Sequence, residues 1–385
     1  MPRLAVAFEF PTLHGGERSM CAVLSQPVPR DWDVVALAPP EGPLADALRE
    51  LGIDVVPLQL RDEGHRAPPD WAAATLAETM RRSGADHLHA NSVSLSRLSG
   101  RLAGTHSVTG HLRDIMRLSR AALVDVAANA RLIAVSQATA ASYRDLAPDL
   151  FAVSRGDDSQ GEADDRKVDR LDDGTIAVVH NGIAPWTEPG SGRWTRDRLG
   201  VAPGVPIIAT IGQISLRKGH DRAAAALRRL KANGRAFAWV IAGERFSQKP
   251  ESRAFEAALA DGLEAETRRL GWVPDVLPLL GIVDVLLHPA RQEPFGRVLL
   301  EASERGVPVV AGEVGGNAEV VPRSLRIAGD DPDLWAAAIE RVLQGASPLD
   351  APASARFPLE RAADRTWAIW REAWSRHCAQ HALEE

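Results

Sequence analysis

The chain has 385 residues, of which 45% are hydrophobic and 25% charged, which is typical of a folded protein long enough for two ordinary domains. Its net charge of −6 gives no general attraction to nucleic acid, which disfavours that class of partner. The only two cysteines, Cys21 and Cys378, favour neither a disulfide framework nor a cysteine metal site. The sequence shows neither a signal-peptide pattern nor about 20 consecutive apolar residues, so we expect a cytoplasmic protein.

Short apolar runs alternate with amphipathic segments along most of the chain. The strands predicted before residue 183 are 4–10, 33–38, 54–60, 86–90, 131–136 and 175–180, and the helices between them include 43–51, 71–82 and 121–130. The strands predicted after residue 204 are 207–211, 238–242, 284–288 and 308–311, and the helices are 222–231, 254–269 and 298–305. This alternation predicts two doubly wound α/β domains, each with a parallel sheet covered by helices.

Proline and glycine residues in 183–204 interrupt any regular element, and they place the predicted domains at 1–185 and 186–357. Residues 154–174 form a polar, Asp-rich run that cannot support a core, so we predict a solvated loop, with a substrate lid as the sharper alternative. The predicted tail helix, 358–385, carries Trp367, Trp370 and Trp374 on one face, which predicts that this face is buried against the rest of the fold.

The segment 291–304, RQEPFGRVLLEASE, has the clearest chemical pattern. Glu293 is predicted to follow a strand, in the region where open α/β sheets bind ligands. Gly296 allows close approach of backbone amides, and the helix that follows directs its positive end towards the same place, which suits a diphosphate. Glu301 lies further along that helix, where its carboxylate can accept hydrogen bonds from a ribose diol.

The pair Glu293-x7-Glu301 within EPFGRVLLEA resembles the signature of retaining glycosyltransferases of family 4, a group of glycogen-synthase-like, group 1 enzymes with the GT-B fold. The resemblance extends along the chain through HGGERSM at 14–20, AVSQATAASY at 134–143, VVHNGI at 178–183, IGQISLRKGHD at 211–221, VIAGE at 240–244 and LGWVPDV at 270–276. It implies two Rossmann-like domains facing a central cleft, with the last helix crossing back onto the first domain.

The resemblance also implies roles for individual residues. Glu301 would hold the ribose, Glu293 would bind hydroxyls of the transferred sugar, Val273 would meet the base through its backbone, and Lys218 would stabilise the diphosphate leaving group. The sugar and diphosphate would be lined by Pro294, Phe295, Gly296, Arg297 and Val298. The donor would be a nucleotide sugar, with UDP favoured over GDP, and no cofactor or metal would be required.

One position departs from the family pattern. The family usually has Arg where this chain has Gln213, so half of the usual cationic phosphate clamp is missing. Arg217 would compensate if its side chain turned inward. If it did not, donor affinity or turnover should be lower.

In the first half, Gly15 and Gly16 follow the first strand and suit a close backbone approach to phosphate, with an ordinary glycine turn as the alternative. His111, in TGHLRDI, resembles the family histidine that reaches the donor sugar, and its role rests on that analogy. His180 and His288 lie inside strand patterns, which predicts core or edge residues. Arg residues between 97 and 131 predict a solvated face, with contact to an anionic membrane as a less favoured alternative.

The sequence therefore predicts a retaining glycosyltransferase that uses front-face substitution, with Glu293, Lys218 and His111 as the catalytic candidates. A sugar-nucleotide hydrolase or epimerase of the same fold remains an alternative, as does a degenerate nucleotide-binding protein, which Gln213 favours. The acceptor stays open among small molecules, lipid carriers and glycans.

Overall fold

The computed structural model describes residues 1–62, 65–151, 175–187, 193–245, 247–345 and 351–382. The chain divides into two compact units, Met1–Gly182 with Leu359–Glu385, and Ile183–Pro358. The predicted polar loop at 154–174, with the acidic pairs it contains, lies outside the described residues. The unit boundaries fall at Gly182 and Pro358, within three residues of those inferred from the sequence.

The first unit is built around a parallel sheet. Its strands are β1 (Arg3–Ala7), β2 (Asp33–Ala38), β3 (Asp54–Pro57), β6 (His87–Ala90), β7 (Ser107–Leu112), β8 (Arg131–Ala134) and β9 (Ile176–Val178), with a small antiparallel ladder of β4 (Arg61–Asp62) and β5 (His65–Arg66). Its helices up to β9 are α1 (Gly15–Leu24), α2 (Pro43–Glu50), α3 (Pro69–Ser83), α4 (Val93–Gly100), α5 (Arg120–Ala127) and α6 (Gln137–Leu146). Among the described residues the sheet order is β3-β2-β1-β6-β7-β8-β9.

The local sequence explains where several of these helices begin. Ser92, Ser119 and Ser136 each adopt an extended backbone, and each side-chain oxygen accepts a hydrogen bond from a backbone N–H of the helix that follows. Such a cap satisfies one of the four N–H groups that a helix leaves without partners at its first turn. These caps fix the first residues of α4, α5 and α6, which follow β6, β7 and β8 in the chain.

The second unit repeats the architecture. Its strands are β10 (Ile207–Ile211), β11 (Ala238–Ala242), β12 (Thr267–Gly271), β13 (Val285–His288), β14 (Val309–Gly312) and β15 (Arg326–Ile327). Its helices are α7 (His220–Ala232), α8 (Pro250–Ala258), α9 (Leu277–Leu280), α10 (Arg297–Glu304), α11 (Asn317–Val320), α12 (Pro332–Leu343) and α13 (Ala353–Arg356). The order over the described strands is β12-β11-β10-β13-β14-β15, all parallel, with the direction of winding reversing between β10 and β13. Ligands of open α/β sheets bind at the carboxyl side of such a reversal.

The tail forms one long helix, α14 (Leu359–His381), which belongs to the first unit. Trp370 is fully buried and Trp367 nearly so, and both pack with Trp32 and Phe8 in the core on one face of the seven-stranded sheet. Trp374 lies at the edge of the same cluster. The Trp face that the sequence predicted to be buried is therefore covered by the first unit.

One predicted helix was wrong, and one buried strand was not predicted. Residues 254–269 do not form one helix, because α8 ends at Ala258 and Gly262, at φ +73°, reverses the chain before β12. The strand β7 was not among the predicted runs, since its alternate residues Ser107, Thr109 and His111 are polar. His111 thus lies within a strand rather than in a loop.

Candidate active site

The carboxylate of Glu293 is the centre of the candidate site in the second unit. It lies in the loop between β13 and α10, and its side chain is 6% exposed. Its Oε2 accepts a hydrogen bond from Lys218 Nζ at 2.6 Å and another from His288 Nε2 at 2.9 Å. Lys218 follows β10 and His288 ends β13, so the three side chains meet at the reversal of the sheet.

The charge state of this cluster follows from its surroundings. Burial alone would raise the pKa of Glu293, but the Lys218 ammonium and the His288 hydrogen bond outweigh it and hold that pKa well below its usual range. Burial lowers the pKa of His288, although Glu293 opposes the shift. Neutral His288 therefore donates its Nε2 proton to an ionised Glu293, which is also paired with Lys218.

A set of four hydrogen bonds made by Arg291 fixes the turn that carries Lys218. Arg291 binds both carboxylate oxygens of Asp221, at 2.7 and 2.8 Å, and also donates to the carbonyl of Leu216 at 3.0 Å. The Arg291 backbone N–H donates to the Arg217 carbonyl at 2.9 Å. A bidentate guanidinium–carboxylate pair has a narrow geometry, so the loop after β13 and the turn after β10 are held together.

The turn before α10 is shaped by its glycines. Gly296 has φ +84°, a left-handed conformation that strains other residues, and it begins the helix as its N-cap. Gly316, whose N–H donates to the Glu293 carbonyl at 2.9 Å, lies so close that a Cβ there would be 2.2 Å from the Pro294 carbonyl oxygen. The backbone of Glu293 is thus fixed by the turn at Gly296 and by the close contact with Gly316.

The remaining residues predicted for a donor occupy the same loop and helix. Pro294 and Phe295 are buried, and the Phe295 ring packs edge-on against Phe357, so it faces the interior. Arg297 and Val298 are half-buried in the first turn of α10. Glu301 is buried one turn further, and its Oε1 accepts from Arg297 Nε at 3.0 Å.

The predicted phosphate and base positions lie on neighbouring strand ends. Gln213 follows β10 and is half-buried, whereas Arg217 is exposed. The side chain of Arg217 therefore does not turn into the core of the unit. Val273 is buried just beyond the end of β12, next to the exposed Trp272.

In the first unit, the predicted residues lie at the corresponding edge of the seven-stranded sheet. Gly15 and Gly16 are the first two residues of α1, and neither has a positive φ. Added at Gly16, a Cβ would be 3.1 Å from Arg113 Cδ, and Arg113 Nε donates to Asn91 Oδ1 at 2.8 Å. Gly16 therefore makes room for the Arg113 side chain.

His111 is buried near the end of β7. Its Nδ1 lies 3.2 Å from His89 Nε2, while its Nε2 is a buried nitrogen without a hydrogen-bond partner in the described chain. Burial, with the nearby charge of Arg113, holds the pKa of His111 well below its usual range. The ring is therefore neutral, with one nitrogen left for another molecule.

Three features of the site were not predicted from the sequence. His288 was expected only to be a core or edge residue, and its hydrogen bond to Glu293 was missed. The clamp between Asp221 and Arg291 was also missed, as was Gly316. A Gly-Gly pair shortly after a strand, at 315–316, was the signal that could have found the last of these.

No metal site is evident in the parts of the chain that the structure describes, since no three His, Cys, Asp or Glu side chains cluster there. Over the same residues, no helix is long and apolar enough to cross a membrane. Cys21 is half-buried and Cys378 is exposed.

Residues 194–355 match the family model of glycosyl transferases, group 1. A D-inositol 3-phosphate glycosyltransferase of Mycobacterium marinum is 30% identical over 209 residues, which covers 52% of this chain and 44% of that protein. A 2-deoxystreptamine glucosyltransferase of Streptomyces kanamyceticus is 33% identical over 153 residues, covering 38% of each chain. The matches thus span less than half the length of these relatives.

Solved structures resemble the whole chain. Anabaena HepE in complex with UDP-glucose has a TM-score of 0.77 at 20% identity, covering 96% of this chain and 99% of that chain. A sucrose-phosphate synthase of Thermosynechococcus elongatus has a TM-score of 0.65 at 17% identity, covering 100% and 99%. At such identities the likeness concerns the fold.

Two parallel α/β sheets, wound as these are, define the two-domain GT-B fold predicted from the sequence. The match to the group 1 glycosyl transferase model falls within the second of these domains, at 194–355.

Proposed function

We propose that this protein transfers a sugar from a nucleotide-sugar donor to an acceptor hydroxyl, with retention of configuration at the anomeric carbon. The observation that carries the proposal is the buried cluster of Glu293, Lys218 and His288 at the reversal of the second sheet. The donor complexes of HepE, which contain UDP or UDP-glucose, favour a UDP-sugar.

The geometry of the cluster supports a role for Lys218 at the donor phosphate. Lys218 is the more exposed partner, with 18% of its side chain accessible, so its ammonium can also reach a donor phosphate. The N-termini of α7 and α10 lie at the same edge, where their dipoles favour an anion. Lys218 would stabilise the nucleoside diphosphate as it leaves, because negative charge develops on its oxygens.

Glu293 would act on the sugar. Its two described contacts both fall on Oε2, which leaves Oε1 for a sugar hydroxyl. A carboxylate kept ionised next to the sugar also stabilises the positive charge that develops at the anomeric carbon. His288 would hold this carboxylate in one rotamer and would not touch the substrate.

The reaction would be a front-face substitution. The bond from the anomeric carbon to the phosphate oxygen breaks, the acceptor oxygen bonds to that carbon from the same side, and a phosphate oxygen takes the acceptor proton. No protein base and no covalent glycosyl intermediate are needed in this step. Trapping of a glycosyl adduct on Glu293 would contradict this mechanism.

Turnover of a panel of UDP-, GDP- and ADP-sugars by the purified chain tests the proposal. We expect release of one nucleotide, with Glu293→Ala and Lys218→Ala each lowering it by at least about a hundredfold. Lys231→Ala is the matched control, because Lys231 lies on the surface of α7 and donates a hydrogen bond to Glu266. Release of free sugar without any glycosylated acceptor would favour a hydrolase. Binding of a nucleotide sugar without turnover, whichever acceptor is supplied, would favour a degenerate binding protein.

A further inference from the structure

Five polar side chains form a continuous buried row across two neighbouring strands of the first unit. Parallel pairing sets His87 beside Ser107 and His89 beside Thr109. Because alternate residues of a strand point to one face, the row lies on a single face of the sheet. It consists of Ser107, His87, Thr109, His89 and His111.

Each member of the row bonds the next. Ser107 Oγ is 2.7 Å from His87 Nδ1, and His87 Nε2 is 3.1 Å from Thr109 Oγ1. Thr109 Oγ1 is 2.9 Å from His89 Nδ1, and His89 Nε2 is 3.2 Å from His111 Nδ1. The fully buried Trp370 packs on the His89 ring, with their centroids 5.0 Å apart, so the helix α14 covers the row.

The direction of these hydrogen bonds follows from their two ends. Ser107 is 1% exposed, and among the described residues its hydroxyl is bonded to His87 Nδ1. A buried hydroxyl that only accepted would leave its own proton unpaired, which is costly, so Ser107 donates to that nitrogen. A neutral imidazole has one N–H, which places the His87 proton on Nε2, facing Thr109.

Thr109 and His89 continue the row in the same direction. Thr109 then donates to His89 Nδ1, since its other acceptor, the Leu88 carbonyl, is 3.5 Å away, at the limit of a hydrogen bond. His89 in turn donates from Nε2 to His111 Nδ1. Burial lowers the pKa of His87 to about 3 and those of His89 and His111 well below the usual range, so each ring carries a single proton.

We propose that this row fixes His111 as a permanent hydrogen-bond donor, whose Nε2–H binds an oxygen of the substrate. Ser107, His87, Thr109 and His89 are then positioning residues that set the tautomer of His111 without touching the substrate. The buried Nε2 has no partner in the described chain, which is costly unless a ligand supplies one. An oxygen lone pair, from a hydroxyl or a phosphate, satisfies it, whereas an ammonium group does not. The use of this donor rests on the function proposed above, but the tautomer does not.

Two-bond nitrogen–proton NMR correlations in the full chain, labelled with 15N-histidine, report the tautomers directly. His111→Gln, His89→Gln and His87→Gln assign the signals by their loss. We expect the Nε2–H form for all three rings at pH 7. An Nδ1–H form or a charged ring at any of them would overturn the proposal.

Two substitutions at one position separate this ordering from simple packing. Thr109→Val removes the hydroxyl at nearly constant size, so we expect His89 and His111 to populate both tautomers and kcat/KM to fall about two- to tenfold. Thr109→Ser keeps the hydroxyl and should restore both measurements. Unchanged tautomers in a folded Thr109→Val protein contradict the proposal. A chain with the expected tautomers but no transferase activity would instead contradict the proposed function alone.

Discussion

His288 and Glu293 lie five residues apart in the chain and are joined by a 2.9 Å hydrogen bond between His288 Nε2 and Glu293 Oε2. The strand β13 ends at the first of these residues, and the loop that follows returns the second to it. Since Lys218 bonds the same oxygen, the carboxylate is held from two sides. The orientation of Glu293 thus depends on His288, which was predicted to be only a core or edge residue because it lies in a strand.

We expect His288→Leu to lower kcat about ten- to hundredfold, because a hydrogen bond to a charged group contributes about 1.5–3 kcal/mol. The change should leave KM for the donor less affected, since the contact proposed between Lys218 and the donor phosphate would remain. His288→Gln offers an amide N–H to the same oxygen and should recover part of the activity. Steady-state kinetics of both variants measure kcat and KM. Equal losses of kcat in the two variants would show that the lost hydrogen bond does not cause the decrease.

The ion pair between Lys218 and Glu293 should also stabilise the fold. Lys218→Met leaves a buried carboxylate without its cation, for which we expect a loss of about 3 kcal/mol in the free energy of unfolding. Adding Glu293→Gln removes the stranded charge and should restore part of that loss. Urea unfolding of the two single variants and the double variant measures the coupling, and strictly additive losses would contradict it.

The elements that the sequence predicted well are those with the clearest hydrophobic patterns. The strands β2, β10 and β11 have the predicted bounds, because each is a mostly apolar run that is buried along most of its length. β7 was missed because Ser107, Thr109 and His111 on one of its faces are polar, and β12 because it is an edge strand with two arginines. Alternation of His and Thr at spacing two was the available signal for β7.

The candidate site was predicted by residue but not by contact. Glu293, Gly296 and Glu301 could be found from one local motif, whose strand, turn and helix are continuous in the chain. Lys218 is 75 residues from Glu293, and only the strand order brings the ends of β10 and β13 together. No local sequence pattern predicts the pairings that depend on topology, such as the ion pair of Asp221 with Arg291.

Gly316→Ala should disturb Glu293 through the backbone. The new methyl group would meet the Pro294 carbonyl oxygen at 2.2 Å and Phe295 Cα at 2.7 Å, and neither atom belongs to a flexible side chain. We expect a loss of about 1–3 kcal/mol in stability and a lower kcat. Gly104→Ala is the control, since a Cβ there meets nothing within 4 Å. Thermal unfolding and turnover of both variants measure it, and a Gly316→Ala protein as active and stable as Gly104→Ala would contradict the tight contact.

Buried neutral histidines should make the fold sensitive to acid. Burial lowers the pKa of His87 to about 3 and that of His220 to about 4. Between their usual value of 6.5 and these pKa values, the unfolded chain binds protons that the folded chain does not. The free energy of unfolding therefore falls as pH decreases, by about 1.4 kcal/mol per pH unit for each such histidine once pH is well below 6.5.

Urea unfolding at pH 7, 6 and 5 measures this slope. His87→Phe removes one contributor and should flatten it by that amount, while unfolding at pH 8, where the histidines are neutral in both states, reports the packing cost of the substitution separately. A slope that His87→Phe leaves unchanged would show that His87 is not neutral in the folded state.

Gln213 is the position at which a single substitution should improve the site. It is half-buried after β10, and Arg217 is exposed, so a cation at position 213 would add to Lys218 at the carboxyl edge of the sheet. We expect Gln213→Arg to tighten binding of the nucleoside diphosphate about tenfold, because a charge-assisted hydrogen bond contributes about 1.5–3 kcal/mol and part of it offsets the desolvation of the guanidinium. Isothermal titration at 50 and 300 mM salt measures the effect, which should shrink as salt screens the added charge. Gln213→Met is the matched neutral control and should bind no better than the native chain. An equal gain in Gln213→Met would trace the improvement to packing, and no gain in Gln213→Arg would show that the phosphate lies out of reach of this strand end.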